Sequence, residues 1–556
     1  APAPAAGEAP AATAPETTPD DLEVFVDTVD VRVVNVDVFV TDKKGNPVSG
    51  LDRDDFELVE DGRPVAITNF YAVEEGRPRG GLAPGQIADL PLPPPDAPQP
   101  IEIPEEQRLH LVVYVDNFNI RPANRNRVLD DVGYFLTTQL DRDDRVMLVT
   151  YDRTLNVRQA FTSDPRLIAG ALDEVERVTG HAVARDDERR RILEQIEESR
   201  TVSAAASYAR MHAESMDNDL RFTIGALKEL IGTLAGLPGR KAILYVSDGV
   251  PMVPGQDVFY AVDAQFAGQG ASGILTDSMT YDASREFREL AAQANASRVS
   301  FYTLDAAGLR LDSSFSAQNA RPTASHLIDS TFNSNHQSPL RFLADTTGGM
   351  AIVNTNNVLP ALGRVARDFD TYYSLGFSPT HAANGRYHRV EVRVVGRRDL
   401  VVRHREGYRD KTIEARMTDG TVAALHFDSE SNPLGARLRF TDTTRQEGRF
   451  YQVNVDVEVP IGELVLVPHG ETHEARLRLF IAARDSEGDS SPVQQLTVPI
   501  SIPNGEVEAA RKQLYRYSVP LVMRPGAHRV AVGLRDELGG EEAFLTTTVI
   551  PGRGGA

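Results

Sequence analysis

The chain has no cysteine. Disulfides, thiolate metal ligands and a cysteine nucleophile are therefore excluded. No run of about 18 apolar residues occurs, so no segment reads as a membrane-spanning helix. The Gly-x-x-x-x-Gly-Lys-Ser/Thr loop of nucleotide hydrolases is missing, as is the Gly-x-Ser-x-Gly elbow of serine hydrolases. His469 and His473 lie four residues apart, but Gly470 stands where a zinc-protease motif requires Glu, and the surrounding pattern is β. Basic residues are outnumbered, 59 Lys and Arg against 80 Asp and Glu, for a formal charge of −21. Such a surface repels phosphate backbones, so nucleic acid is excluded as an expected partner.

What is present is ordinary globular protein in quantity for several domains. The chain has 556 residues, 41% hydrophobic and 25% charged. Single cores stop growing well below that length, so two to four domains are expected. Residues 1–21 are small, acidic or proline and read as a disordered spacer. Their composition fits the mature end left after signal-peptide cleavage, which predicts export to the periplasm or cell exterior.

Residues 22–75 read as strands, because Val24, Val26, Val29, Val31 and Val33 and then Val34, Val36, Val38 and Val40 alternate with period two. The frame slips between Val33 and Val34, as a bulge would cause. Turns are expected at Lys43-Lys44-Gly45-Asn46-Pro47 and Asp61-Gly62-Arg63-Pro64. Residues 76–108 carry Gly80-Gly81, Pro93-Pro94-Pro95 and further prolines, and read as an extended linker. Residues 109–378 alternate apolar strands with helices, which predicts a doubly wound α/β domain. Its strands are His110–Val115, Arg145–Tyr151, Lys241–Val246, Arg298–Leu304 and Tyr372–Phe377. Helices follow at Ala123–Leu140 and after Asp164-Pro165, a cap followed by a first-turn proline. Residues 183–217 read as a projecting helix or helical hairpin inserted in that domain. Residues 386–410 return to strands, too few to fold alone, and are expected to pair with 22–75 in one sandwich. From 411 to 556 the pattern reads as β throughout, an independent sandwich.

Three of these segments resemble a known family. An apolar strand ends in Val115-Asp116-Asn117-Phe118-Asn119, a second carries Asp144-Arg145-Val146-Met147-Leu148-Val149, and a third ends in Tyr245-Val246-Ser247-Asp248-Gly249. The set resembles the von Willebrand factor A (VWA) fold. It is closest in kind to bacterial VWA-domain proteins of the acidobacterial type. Those share the leading Val48-Ser49-Gly50-Leu51, Asp55-Phe56 and Glu60-Asp61-Gly62. They also share the step Pro238-Gly239-Arg240-Lys241 and the tail Ser374-Leu375-Gly376-Phe377 with Arg405-Glu406-Gly407-Tyr408. The resemblance spans about residues 22–410 and implies an α/β plus all-β protein, a Rossmann-like VWA domain flanked by β-sandwiches.

The resemblance also implies where a cation would sit. VWA domains that hold Mg²⁺ or Ca²⁺ use an Asp, two Ser, a loop Thr and a second Asp, because a hard cation takes oxygen ligands. Asp116 and Asp248 match the two carboxylates. The serine positions fall on Phe118 and Ile120, which offer no oxygen, and Thr223 is the nearest candidate for the Thr. The site therefore reads as degenerate, with no cofactor expected. Asp116 and Asp248 would then cap neighbouring loops and helix ends.

A ligand face needs no cation, since open α/β sheets bind beyond the carboxyl ends of their strands. Two long loops are expected there, Pro251–Asp282 and Ala306–Pro339. Partner contacts are placed on them and on Asn117, Asn119, Arg121, Asn124 and Arg125. The leading expectation is a non-enzymatic protein–protein interaction module of a cell-envelope assembly. A self-associating structural subunit comes second. A hydrolase built on His326 or His336 with Asp329 comes last.

Overall fold

Val34–Thr41 (β1) carries the valine alternation, with Val36, Val38 and Val40 facing one buried core. The computed structural model describes residues 33–74, 76–79, 108–140, 144–268, 273–310, 324–381, 383–427, 429–446 and 450–551. The expected spacer at 1–21, the strands before Val33 and most of the 76–108 linker lie outside them. After β1 come Phe56–Glu60 (β2), Arg63–Val65 (β3), Asn69–Glu74 (β4) and Arg77–Arg79 (β5). The β2–β3 turn is at Asp61-Gly62, whose φ values of 46° and 80° are the left-handed pair that a two-residue hairpin needs. The residues at 77–79 pair with β4 and are thus strand, not linker.

The α/β layer begins with Leu109–Asp116 (β6), Pro122–Thr138 (α1), Arg145–Tyr151 (β7), Leu155–Thr162 (β8) and Pro165–Glu176 (α2). Asp164 caps α2 by accepting from the Arg166 N–H at 2.9 Å, with Pro165 in the first turn. Ala182–Glu198 (α3), Val202–Leu234 (α4), Arg240–Ser247 (β9), Gln256–Gln265 (α5), Ile274–Ser278 (α6) and Ser284–Ala296 (α7) follow. Val299–Asp305 (β10), Ala324–Thr347 (α8), Ala351–Ile352 (β11) and Leu359–Asp370 (α9) complete the layer. The sheet order is β11-β10-β9-β6-β7-β8, parallel except for β8, which runs antiparallel to β7. Every residue of β6 and β9 is buried because helices cover both faces. Leu111, Val113 and Val115 pack with α1, α2 and α9, while Val112 and Tyr114 pack with α4, α7 and α8.

Two expectations change here. The 183–217 segment is a hairpin of α3 and the first half of α4, but it does not stand away from the body. Ile192, Ile196, Ala205, Ala206, Ala209 and Ala213 share a core with Val258, Phe259 and Val262 of α5. The alanines supply the low relief that lets the helices approach. The two expected loops carry helices among the described residues: 251–282 contains α5 and α6, and 306–339 contains the start of α8. In α8 the polar residues are in use. Pro339 has no N–H for the Asn335 carbonyl. That carbonyl instead accepts from Met252 N–H at 3.1 Å, and the Asn335 amide bonds both backbone groups of Val253.

Tyr372–Phe377 (β12), expected as a last α/β strand, pairs antiparallel with β1 and β4 instead. Tyr387–Val394 (β13), Val401–His404 (β14) and Gly407–Arg409 (β15) follow. One sheet runs β14-β1-β12-β4-β5 and another β15-β13-β2-β3, and Val38, Leu58, Leu375 and Val392 share the core between them. Buried Arg240 ties this body to the α/β layer. Its guanidinium lies 3.7 Å from the Tyr372 ring centroid and donates to the Phe369 and Asp368 carbonyls at 3.0 and 3.2 Å. The Pro-Gly-Arg-Lys step thus has a packing role.

The expectation of β structure throughout 411–556 fails at Ile413–Phe427 (α10), a helix. Its Ala423 joins the α/β core, whereas Ala424 and Leu425 meet Ala482 and Ala531 of the C-terminal sheets. Apolar on two sides, it shows no single stripe in sequence. Beyond it, Arg437–Arg445 (β16) and Tyr451–Pro460 (β17) lead to Val467–His469 (β18), Thr472–Asp485 (β19) and Gln494–Pro503 (β20). A short helix, Val507–Ala510 (α11), precedes Leu514–Met523 (β21), His528–Asp536 (β22) and Glu542–Val549 (β23). The sheets β16-β17-β21 and β18-β19-β22-β23, with β20 also on β19, enclose one apolar core that includes Val455's neighbours Val453 and Val457, Leu479 and Val532.

The docking of α10 gives a direct test. A Cβ on Gly236 would stand 2.1 Å from the Asp419 carbonyl oxygen. Gly236→Ala should therefore push α10 off the α/β layer and cost about 1–3 kcal/mol, read as a lower thermal midpoint. An unchanged midpoint would contradict this packing.

Candidate functional site

Asp116 ends β6 with no exposed surface. Both carboxylate oxygens are engaged. The Asn119 side-chain nitrogen donates to them at 3.1 and 2.9 Å, and the Asn119 backbone N–H donates at 3.1 Å. The Tyr245 hydroxyl adds a bond at 2.5 Å, and Ser247 Oγ stands 3.4 Å away. The same Asn119 nitrogen is 3.4 Å from Thr223 Oγ1. The neutral Asn119 amide N–H₂ thus bridges the oxygens of Asp116 and Thr223, and Ser247 meets Asp116 from another side. Phe118 packs edge-on against Tyr151, and Ile120 is fully buried in the α/β core. Burial pushes the Asp116 carboxyl above its ordinary value, while the bonds from Tyr245 and Asn119 pull it back.

Asp248 follows β9 and serves the other side of the same edge. Its Oδ2 accepts from the Arg121 N–H at 3.0 Å and from Asn124 Nδ2 at 2.8 Å. Its Oδ1 is buried and has no hydrogen-bond partner among the described residues. Burial raises this carboxyl to about 6, against the lowering effect of the Arg121 and Asn124 bonds. Gly249 is required for the turn, since φ is +92° and a Cβ would lie 2.4 Å from the His336 carbonyl oxygen.

A cavity of about 390 Å³ opens beyond the carboxyl ends of β6, β9 and β10. Asn119, Arg121, Asn124, Arg185, Arg189, His212, Asp248, Arg310 and His336 line it. Most of its charges are paired. Arg121 Nε bonds Asp186 at 2.6 Å, Arg189 Nε bonds Asp257 at 2.6 Å, and Arg310 bonds Asp305 at 3.0 Å. Arg185 differs. It donates to the Asn119 carbonyl oxygen and lies 5.0 Å from the Phe118 ring centroid, with no carboxylate in ion-pair contact among the described residues. Arg185 comes from α3, inside the helical hairpin expected at 183–217, and His336 comes from α8, which was expected as loop.

Of the residues expected to touch a partner, Asn119, Arg121 and Asn124 line this cavity. Asn117 and Arg125 do not and are corrected. Asn117 is fully buried and Arg125 only 1% exposed. Arg125 donates to Asn117 Oδ1 and to the Glu176 carbonyl, and Asn117 Nδ2 donates to the Thr179 carbonyl at 2.8 Å. Their hydrogen bonds hold the loop after α2 against α1, so neither is available to a second molecule. In the β18–β19 hairpin, His473 Nδ1 lies 2.9 Å from Asn504 Oδ1, and His469 pairs with Thr472.

No protein-family model matches the chain, and no curated protein sequence matches it. Among solved structures, BatB from Bacteroides thetaiotaomicron is 10% identical, covering 47% of this chain and 96% of its own at a TM-score of 0.22. The manganese-loaded TRAP protein of Plasmodium vivax is 11% identical, covering 55% and 95% at a TM-score of 0.21. A von Willebrand factor type A protein from Catenulispora acidiphila is 9% identical, covering 80% and 66% at a TM-score of 0.19. These are weak structural neighbours, and the functional reading rests on the geometry above.

The raised Asp248 carboxyl sets a pH dependence. The folded state holds this proton more tightly than the unfolded chain, whose value is near 3.8. The resulting stabilisation is full below about pH 4 and is lost as pH rises through about 6. Relative to wild type, Asp248→Asn should remove a decline of about 3 kcal/mol across that window, read from denaturant midpoints at pH 4 and pH 7. Parallel pH profiles for the two proteins would contradict it.

Proposed function

We propose that the chain is an exported protein–protein interaction module, non-catalytic, in which a VWA-like α/β layer is flanked by β-sandwich bodies. Its ligand face is the cavity at the carboxyl edge, and it works without a cation there. The six-stranded, mostly parallel sheet with helices on both faces supports the first part. The observation that carries the second is the Asn119 amide between Asp116 and Thr223. A donor in that place satisfies the acceptors a cation would otherwise satisfy.

The partner is expected to bring an acidic or polar side chain. Arg185 lines the cavity with no carboxylate in ion-pair contact among the described residues. A fork of this geometry binds a carboxylate through two parallel bonds. Its aliphatic stem and the Phe118 ring fix its direction, so little side-chain freedom is lost on binding.

Affinity capture from native envelope extract tests this with the intact chain. Partners should be retained in EDTA, lost by at least tenfold with Arg185→Glu, and partly recovered with Arg185→Lys. Loss in EDTA with recovery in Mg²⁺ or Ca²⁺ would overturn the cation-free reading. Equal capture by Arg185→Glu would overturn the assignment of the face.

A further inference from the structure

A second constellation lies away from this cavity, in the sheet β15-β13-β2-β3. Glu60 closes β2 and Asp61 begins the turn after it. His388 is the second residue of β13, Tyr408 sits in β15, and Asp410 follows. His381 belongs to the segment between β12 and β13. The ladders place Val390 opposite Glu60 and His388 opposite Tyr408. Alternation then puts Glu60, His388 and Tyr408 on one face, in phase with the buried Val390 and Val392.

The two imidazoles stack with centroids 4.2 Å apart and planes 18° from parallel. Each turns Nδ1 toward a carboxylate: His388 to Asp61 Oδ2 at 2.8 Å and His381 to Asp410 Oδ2 at 3.2 Å. A proton on Nδ1 leaves Nε2 as the lone-pair nitrogen. His381 Nε2 stands 3.4 Å from Glu60 Oε1. One ligand atom each from Glu60, His381 and His388 falls within 4.8 Å of the others. The Asn384 amide borders His388 Nε2 at 3.2 Å, and the Tyr408 hydroxyl donates to Glu60.

Three carboxylates converge on two stacked imidazoles, and a bound dication would balance their negative charge. We propose that Glu60, His381 and His388 form a divalent transition-metal site, best suited to zinc, with Asp61 and Asp410 orienting the imidazoles from behind. Zinc takes this mixture of imidazole nitrogen and carboxylate oxygen. A ligating histidine giving its other N–H to a carboxylate is the usual outer arrangement. Ligand atoms around tetrahedral zinc are about 3.3 Å apart, so the three side chains draw together on binding. The His381 side chain is 28% exposed, which gives the ion a route in and leaves room for water in the fourth position. The metal would fasten β2 to β13 and to the segment before it, joining residues far apart in the chain. This site is independent of the Arg185 face.

The test uses the full untagged chain, stripped with EDTA and dialysed, then titrated with Zn²⁺ by calorimetry and with Co²⁺ by visible absorption. One Zn²⁺ per chain is expected, with a rise in thermal midpoint and a tetrahedral Co²⁺ band. The His381→Ala/His388→Ala double variant should lose all three. Asp61→Asn should bind about 10–100-fold more weakly. His473→Ala, in the β18–β19 hairpin, should bind as wild type does. Circular dichroism confirms that each variant is folded. Failure of wild type to take zinc, or stoichiometric zinc in the folded double variant, would overturn the proposal and leave the cluster a hydrogen-bonded clasp.

Discussion

A carboxylate with no access to water must be satisfied by its neighbours, and Asp116 is that group in this protein. It ends a strand whose eight residues are all buried. An unpaired buried carboxylate is strongly destabilising. The chain meets this demand with Asn119, Tyr245 and Ser247. From that choice the rest of the edge follows. Asn119, once turned inward to Asp116, offers its carbonyl oxygen outward to Arg185. Arg185 in turn is held over the Phe118 ring.

The surrounding architecture serves to hold this edge still. Asp248 anchors the entry to α1 through Arg121 and Asn124. Gly249 lets the chain pass under the His336 carbonyl, and Asn335 pins the next residues to α8. The α3–α4 hairpin, packed against α5 by its alanines, brings Arg185 to the mouth. A buried arginine, Arg240, and a two-faced helix, α10, tie the layer to the bodies before and after it. The edge is therefore built on rigid elements, which favours a preformed ligand surface over one ordered by binding.

Much of the α/β layer was legible in sequence, because strands buried on both faces are apolar throughout: His110–Val115 and Lys241–Val246 announce themselves. Asp116 and Asp248 were legible as strand-end carboxylates, whereas the bond from Asn119 to Asp116 and Thr223 was not, because it depends on how the chain turns after β6. The helices α5 and α8 were not. Their Ser, Asn and Thr side chains bond backbone groups from other segments, as Asn335 does with Val253, and such uses look like loop composition. Asn117 and Arg125 read as surface for the same reason, although they spend their polar atoms on buried carbonyls and on each other. The Glu60–His381–His388 cluster is assembled from distant segments. Its one local signal was His388 falling in step with Val390, Val392 and Val394 on the inward side of β13.

The central claim is that an amide nitrogen occupies the place of a cation at the carboxyl edge. Anomalous diffraction from crystals soaked in Mn²⁺ tests it most directly. No anomalous density is expected between Asp116 and Thr223, with the Asn119 side chain still bonded to both. A manganese peak within bonding distance of an Asp116 oxygen, with Asn119 swung away, would contradict it.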